Sequence, residues 1–244
     1  MIEVTNLAKR FGEVSAVKDV SFRAADHSVT GLLGPNGAGK TTTLRMLYAL
    51  VTPDGGHARV DGVDVATDPL ETRRRIGVLP DARGLYPRLT ARENIRYYGK
   101  LHGMRGPELE KRIDALADLL EMKEIIGRRA EGFSQGERAK VAIARALIHD
   151  PKNVLLDEPT NGLDVMSTRA MRELIRRLRD EGRCVIFSSH VMQEVSALCD
   201  RIVVVAQGRV VADGTPDEIR KSTGKENLEE AFVSVIGSEK GLVQ

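Results

Sequence analysis

A chain of 244 residues can bury a substantial core, as one large or two small domains, and 41% hydrophobic with 30% charged residues excludes an intrinsically disordered polypeptide. A formal net charge of +2 argues against a dominant electrostatic partner such as nucleic acid. No apolar run reaches membrane-spanning length, and Met1-Ile2-Glu3-Val4 lacks a basic-then-apolar leader pattern, so the expectation is a chain soluble by itself. Cys184 and Cys199 fall in strand and helix patterns without C-x-x-C spacing, as small buried residues of a reducing cytosol would.

The first part of the chain is strand-rich, with strand character at 2–4, 17–22, 29–33 and 59–60, the last ahead of the turn pair Asp61-Gly62. After the third of these, Gly34-Pro35-Asn36-Gly37-Ala38-Gly39-Lys40-Thr41 fits the phosphate-loop pattern G-x-x-x-x-G-K-[ST] at every fixed position. The pattern carries weight because it follows a strand and opens a helix, which the recurrence of Leu44, Leu47, Tyr48 and Val51 predicts on one face. A glycine-rich turn that merely contains Lys-Thr would not require both flanks. The loop thus sets a nucleoside triphosphate at a helix N-terminus, where unpaired N–H groups favour anions. Lys40 reaches the β and γ oxygens, and the Thr41 hydroxyl ligates Mg²⁺.

From about 90 to 149 the pattern turns helical: Thr90-Ala91-Arg92-Glu93 is a capping box, and Ile113, Leu116, Ala117 and Leu120 keep helical spacing, which predicts a separate helical lobe. Within it, Phe133-Ser134-Gln135-Gly136-Glu137 opens a helix toward Leu147. Ser134 and Glu137 make a second capping box. Gly136 weakens the first turn and points to a close approach by another group.

A strand at 154–156 then ends in Asp157-Glu158, which sets two carboxylates at the carboxyl edge of a sheet. Asp157 there holds Mg²⁺ through water, and Glu158 orients or deprotonates an attacking water; the competing reading is a helix-capping pair. An amphipathic helix follows on Met171, Leu174, Ile175 and Leu178, and a strand at 184–188 delivers His190 to the same edge. His190 either senses a γ-phosphate or begins a helix bonded to backbone. A further strand at 202–205 turns at Gln207-Gly208 into Arg209-Val210-Val211, and strand–helix–strand order implies a parallel sheet. After Pro216 a short helix-prone tail runs to Gln244. Arg73-Arg74-Arg75 and the arginines of 169–179 read as solvated helix faces, and no internal repeat is present.

The set formed by the phosphate loop, Phe133 to Glu137, Val154 to Glu158, Asn161-Gly162-Leu163-Asp164 and His190, in this order, resembles the ATP-binding subunit of ABC transporters over about 1–215. The resemblance implies an α/β P-loop NTPase fold with a sheet-based core, a helical subdomain inserted at about 82–150, and a C-terminal helical tail at 216–244. It also implies a nucleotide-dependent homodimer enclosing two ATP molecules. Each would be held by Gly34, Pro35, Asn36, Gly37, Ala38, Gly39, Lys40, Thr41 and Thr42 of one chain and by the Ser134 segment of the other. Ser134 and Gly136 would then serve the partner's γ-phosphate, and Asp164 would couple the two sites. Glu158, His190 and Lys40 carry the catalytic roles. Phe11 matches an aromatic that stacks on adenine, unless it is a core residue.

Two departures stand out. The signature segment, usually Leu-Ser-Gly-Gly-Gln, reads Phe133-Ser134-Gln135-Gly136-Glu137, which keeps the serine and the second glycine. Where the family usually has a glutamine sensing Mg²⁺ between the lobes, Asp81 aligns, a shorter but harder oxygen ligand, so the resemblance implies a metal set of Thr41, Asp157 and Asp81.

A finer match joins the segments 79–87, 161–168 and 228–233 to the ATPase subunits of bacterial sodium-efflux exporters, the NatA-like group. Kinship of this kind implies a separate membrane permease as partner, no nucleic acid, and a place at the cytoplasmic face of the cell membrane. Residues 82–98 would form the groove that docks a permease helix, with Leu85 and Tyr86 as apolar contacts, unless these side chains serve surface packing. Sodium is implied by kinship alone, since cargo touches the permease and not this subunit. The rivals are a drug or lipid exporter subunit and a soluble ABC-type ATPase of ribosomes or nucleic acid. The latter usually carries two nucleotide sites per chain or long heptad arms, and this chain has neither.

Overall fold

The computed structural model describes residues 1–82 and 84–240, the side chains of 238–240 excepted. Arg83 of the expected docking groove and residues 241–244 of the expected tail lie outside the described residues. In chain order, β1 (Ile2–Phe11) and β2 (Val14–Ala24) form a hairpin, β3 (Ser28–Leu33) leads through the phosphate loop into α1 (Lys40–Leu47), and β4 (Gly55–Val60), β5 (Val63–Asp64), α2 (Pro69–Arg75) and β6 (Ile76–Leu79) follow. The helical stretch comprises α3 (Ala91–Leu101), α4 (Gly106–Leu119) and α5 (Gln135–Leu147). The chain then alternates through β7 (Asn153–Asp157), α6 (Val165–Asp180), β8 (Cys184–Ser189), α7 (Met192–Leu198) and β9 (Arg201–Ala206). It finishes with β10 (Arg209–Gly214), α8 (Pro216–Thr223) and α9 (Leu228–Lys240).

The strands lie in the order β5-β4-β1-β2-β10-β9-β3-β8-β7-β6. The block β9-β3-β8-β7-β6 is parallel, as strand–helix–strand order requires, whereas β1 pairs antiparallel with β2 and β4, and β10 with β9. Burial explains the difference in texture. Every residue of β7 and β8 is buried, so these strands read as near-continuous apolar runs, while β1 and β2 mix buried and exposed positions.

Period-two alternation divides the core between the two sheet faces. Val154, Leu156, Val185 and Phe187 pack with Ile95, Ile113, Ile143, Leu147 and Ile175 of the helices. Leu155, Ile186, Val203 and Val205 pack with Leu44, Met46 and Leu47 of α1 and with Ile2 and Val20 of the hairpin. Each fully buried Leu or Ile contributes roughly 1.5–3 kcal/mol. The helices α3 to α5 therefore share one continuous apolar cluster with the sheet.

Two expectations are corrected. The helix after the phosphate loop ends at Leu47, short of Val51: Ala49 takes a left-handed φ of 56°, and Leu50 and Val51 both donate back to Arg45 O. Pro53 two residues on disfavours helical backbone before it. The stretch 90–149 is not helical throughout. Leu120 caps α4, Glu121 turns left-handed at φ 50°, and turns occupy the interval before Ser134. Both capping boxes form, with Thr90 bonding Glu93 and Ser134 bonding Glu137 reciprocally.

Candidate nucleotide site

The phosphate loop leaves β3, a central strand with parallel neighbours on both sides. Two of its glycines are required by close approach. A Cβ on Gly34 would sit 2.2 Å from Val205 O, and Gly39, at φ 108°, would bring one to 2.6 Å from Ala16 O. Gly39 is also the N-cap of α1, with no side chain accepting from the first turn and no acid in it. On α2, α3, α5, α6 and α8, by contrast, Asp68, Thr90, Ser134, Asp164 and Thr215 accept those bonds. The α1 terminus so keeps its N–H groups for an anion. Lys40 is buried and donates to Gly34 O at 2.7 Å and Pro35 O at 3.2 Å, acceptors with which phosphate oxygens would compete for its ammonium.

At the end of β7 the buried Asp157 accepts at one oxygen, Oδ1, from Thr41 Oγ1 at 3.1 Å and Ser188 Oγ at 2.6 Å. Ser188 Oγ accepts in turn from the Glu158 N–H at 3.0 Å. Glu158 stands at φ 48°, a left-handed backbone that costs a non-glycine residue about 1–2 kcal/mol. Its Oε1 lies 3.6 Å from Lys40 Nζ, and its Oε2 bonds His190 Nδ1 at 3.0 Å. Lys40, Thr41, Asp157, Glu158 and His190 thus meet at one sheet edge. Of the two readings open for His190, bonding to backbone gives way to bonding with a carboxylate.

The other sequence-derived residues stand elsewhere. Phe11, at the end of β1, is 49% exposed with Lys9 Nζ 5.5 Å from its ring centre, so it is not a core phenylalanine. Asp81, exposed two residues beyond β6, lines a cleft with Gly84, Leu85, Gln135, Arg138, Asn161 and Gly162. Ser134 is the exposed N-cap of α5. Asp164 caps α6 by accepting from Ser167 N at 2.7 Å and Ser167 Oγ at 3.2 Å, bonds that hold its carboxyl below the usual carboxylate range. The close approach expected at Gly136 has a source within the chain: a Cβ there would sit 2.6 Å from Ser167 Oγ. This glycine therefore has a local reason that does not involve a partner's phosphate.

Sequence reasoning missed Ser188 and Glu194. Ser188 buries a hydroxyl between Asp157 and Glu158, and Glu194 buries a carboxylate against Thr160 and Ser189. Hydroxyls closing an apolar strand, as Ser188-Ser189 do, were the available signal for the first; Glu194 offered none. Among the described residues no three His, Cys, Asp or Glu form a metal cage. The buried Asp157 carboxylate and Thr41 hydroxyl nonetheless fit Mg²⁺, which typically takes one or two protein oxygens and completes its shell with water and phosphate.

A phosphate loop on a parallel core, with an acid pair at the end of β7 one strand further on across β8, defines the class of P-loop nucleoside triphosphatases. The ABC transporter family matches residues 17–161, and the chain belongs to this family as an ATP-binding ATPase subunit. It is 45% identical over 239 residues to the ABC transporter ATP-binding protein NatA of Bacillus subtilis (strain 168), covering 96% of this chain and 97% of that protein. The linearmycin resistance ATP-binding protein LnrL of the same organism is 36% identical over 236 residues, covering 97% of this chain and 76% of that one. Among solved structures, an ATP binding subunit of an ABC transporter matches with a TM-score of 0.88 at 30% identity, over 96% of this chain and 99% of that chain. A dimeric ATP-binding cassette, MJ0796, in a post-hydrolysis state bound to ADP and Pi, matches with a TM-score of 0.81 at 27% identity, over 88% of this chain and 98% of that one. Among the described residues no helix is long and apolar enough to cross a membrane.

Proposed function

We propose that this chain drives export of sodium ions through a separate membrane permease, as one half of a head-to-tail homodimer that closes on ATP at the cytoplasmic face of the cell membrane. The observation that carries the chemistry is Glu158, wedged between Lys40 and His190 one residue past Asp157. The proposed division of labour is an ATPase domain at 1–215, with a helical subdomain at about 82–150, and a C-terminal tail.

In the proposed cycle, Lys40 turns from the Gly34 and Pro35 carbonyls to the β and γ oxygens, joined by backbone N–H groups of 36–42. Phe11 stacks on adenine. Thr41 and Asp157 hold Mg²⁺, which when bound neutralises developing charge on the phosphates. Glu158 accepts a hydrogen bond from the attacking water, whose oxygen bonds the γ-phosphorus as the bond to ADP breaks. His190 steadies Glu158 and faces the γ-phosphate. From the other chain, Ser134 and Gly136 at the α5 terminus complete the site, while Asp164 and Asp81 relay its state. The exposed Tyr86 and half-buried Leu85 form part of the permease groove.

Identity to NatA over nearly the full chain supports the NatA-like branch. LnrL, named for linearmycin resistance, supports a second reading as a drug exporter subunit. The deciding experiment co-expresses the chain with its membrane permease partner and reconstitutes both in vesicles. ATP-dependent sodium flux is the expected result; ATP-dependent drug flux without sodium movement would transfer the cargo to the second reading.

A further inference from the structure

We infer that Glu194 is a positioning residue for hydrolysis: its buried carboxylate ties the loop after Glu158 to the segment that carries His190. The inference rests on the reading that Glu158 orients the attacking water. Glu158 sits in a strained left-handed conformation, and such a conformation persists only where its surroundings over-determine it. One restraint is Ser188, which bonds both Asp157 and the Glu158 N–H. Glu194 supplies the second from outside the strand pair. Its Oε2 accepts from Thr160 Oγ1 at 2.5 Å and from Ser189 Oγ at 3.2 Å. A single oxygen thereby joins the residue two after Glu158 to the residue just before His190.

The local alternative is a helix cap, and the geometry argues against it. Glu194 is the third residue of α7, from which a glutamate ordinarily reaches back to the N-cap N–H. Here Ser189 Oγ accepts from that N–H, of Val191, at 3.0 Å, and Glu194 reaches across to β7's loop instead. Glu194 is 6% exposed, and among the described residues no Lys, Arg or His forms an ion pair with its carboxylate. A buried carboxylate without a cation is costly, so its two hydroxyl bonds are the contacts that hold it there.

The test is steady-state ATP hydrolysis by the purified full chain with Mg²⁺, alongside thermal melts, for Glu194→Ala, Glu194→Gln, Thr160→Val and Glu158→Gln. Misplacing a reacting group costs on the order of 10- to 100-fold, so Glu194→Ala is expected to lose that much kcat with KM for ATP within about twofold of wild type. Glu194→Gln keeps an oxygen that accepts both hydroxyls and should recover most of the rate. Thr160→Val should fall between, and combined with Glu194→Ala should cost little more than Glu194→Ala alone. Wild-type kcat in Glu194→Ala, or loss of rate only in step with loss of folded protein, would overturn the inference. If Glu194→Ala does not fold, full activity in Thr160→Val or an inactive but folded Glu194→Gln would do the same. Wild-type turnover in Glu158→Gln removes the reading beneath it, whereas an inactive Glu158→Gln beside a fully active Glu194→Ala removes the inference alone.

Discussion

His190 Nδ1 lies 3.0 Å from Glu158 Oε2, so side chains delivered by β8 and by β7 share one hydrogen bond at the carboxyl edge of the sheet. In the proposed cycle this bond couples the histidine that faces the γ-phosphate to the carboxylate that orients water. Glu158→Gln keeps the shape and removes the charge. It should lower kcat by at least about 100-fold, keep ATP affinity and accumulate an ATP-dependent dimer, read by phosphate release and size-exclusion chromatography. A variant that turns over at the wild-type rate would take the role from Glu158.

Asp157→Asn preserves an oxygen for the Thr41 and Ser188 hydroxyls while removing the charge that suits a divalent ion. The Mg²⁺ concentration for half-maximal hydrolysis should rise by about tenfold or more, and an unchanged Mg²⁺ titration would remove Asp157 from the metal site.

Ser134 and Thr90 occupy equivalent capping boxes on α5 and α3, which separates fold from function. Replacing either by alanine should cost about 1 kcal/mol in denaturant unfolding. Only Ser134→Ala should also depress hydrolysis, if Ser134 serves the partner's nucleotide. Equal activity in the two variants would leave Ser134 as a cap and nothing more.

Glu110 accepts from Arg96 and Arg92, and these bonds hold its carboxyl down to about 2 from an ordinary 4.5. A folded-state value below the unfolded one gives stability that is complete above pH 4.5 and lost as pH falls toward 2. Glu110 is more than a third exposed, so screening limits the gain to about 1 kcal/mol. Glu110→Gln should therefore melt lower than wild type at pH 7, with the gap closing between pH 4.5 and 2. A gap that persists at the acid end would point to packing instead of charge.

His102 and His149 stack with ring centres 3.6 Å apart, joining the ends of α3 and α5. Burial, reinforced by the facing His102, pushes His149 down to about 4, and burial lowers His102 as well. Arg112 opposes protonation of His149 too, while Asp150 and the hydrogen bond to Ile76 O favour it. The unfolded chain takes up protons near pH 6.5 that the folded chain refuses, so stability falls from pH 6.5 toward 4, by up to about 1.4 kcal/mol per pH unit for one such site. His149→Phe, which keeps a ring against His102, should flatten that slope in urea titrations. An unaltered slope would place the acid sensitivity elsewhere.

Where bonding is local, the residue order sufficed. The phosphate loop, the Thr90 and Ser134 capping boxes and the strands that end in Asp157 and just before His190 were legible because each depends on neighbours a few positions away. The end of α1 at Leu47 was not, since the face repeating through Val51 is also satisfied by a loop folded onto the same apolar cluster. Gly136 shows the limit from the other side: a close approach was legible, but its source, Ser167, lies 31 positions away on α6.

The sequence by itself determined the chemistry on offer, a triphosphate loop and strand-end acids, because glycine geometry, lysine charge and carboxylate oxygens are properties of residue type. Tertiary structure alone decided which of these groups touch. Parallel pairing of β7 with β8 and of β8 with β3 brings Lys40, Glu158 and His190 within reach of one another and lets Glu194 hold a loop 34 residues upstream. Such contacts follow from strand register and from burial on two faces, which no short window of sequence contains.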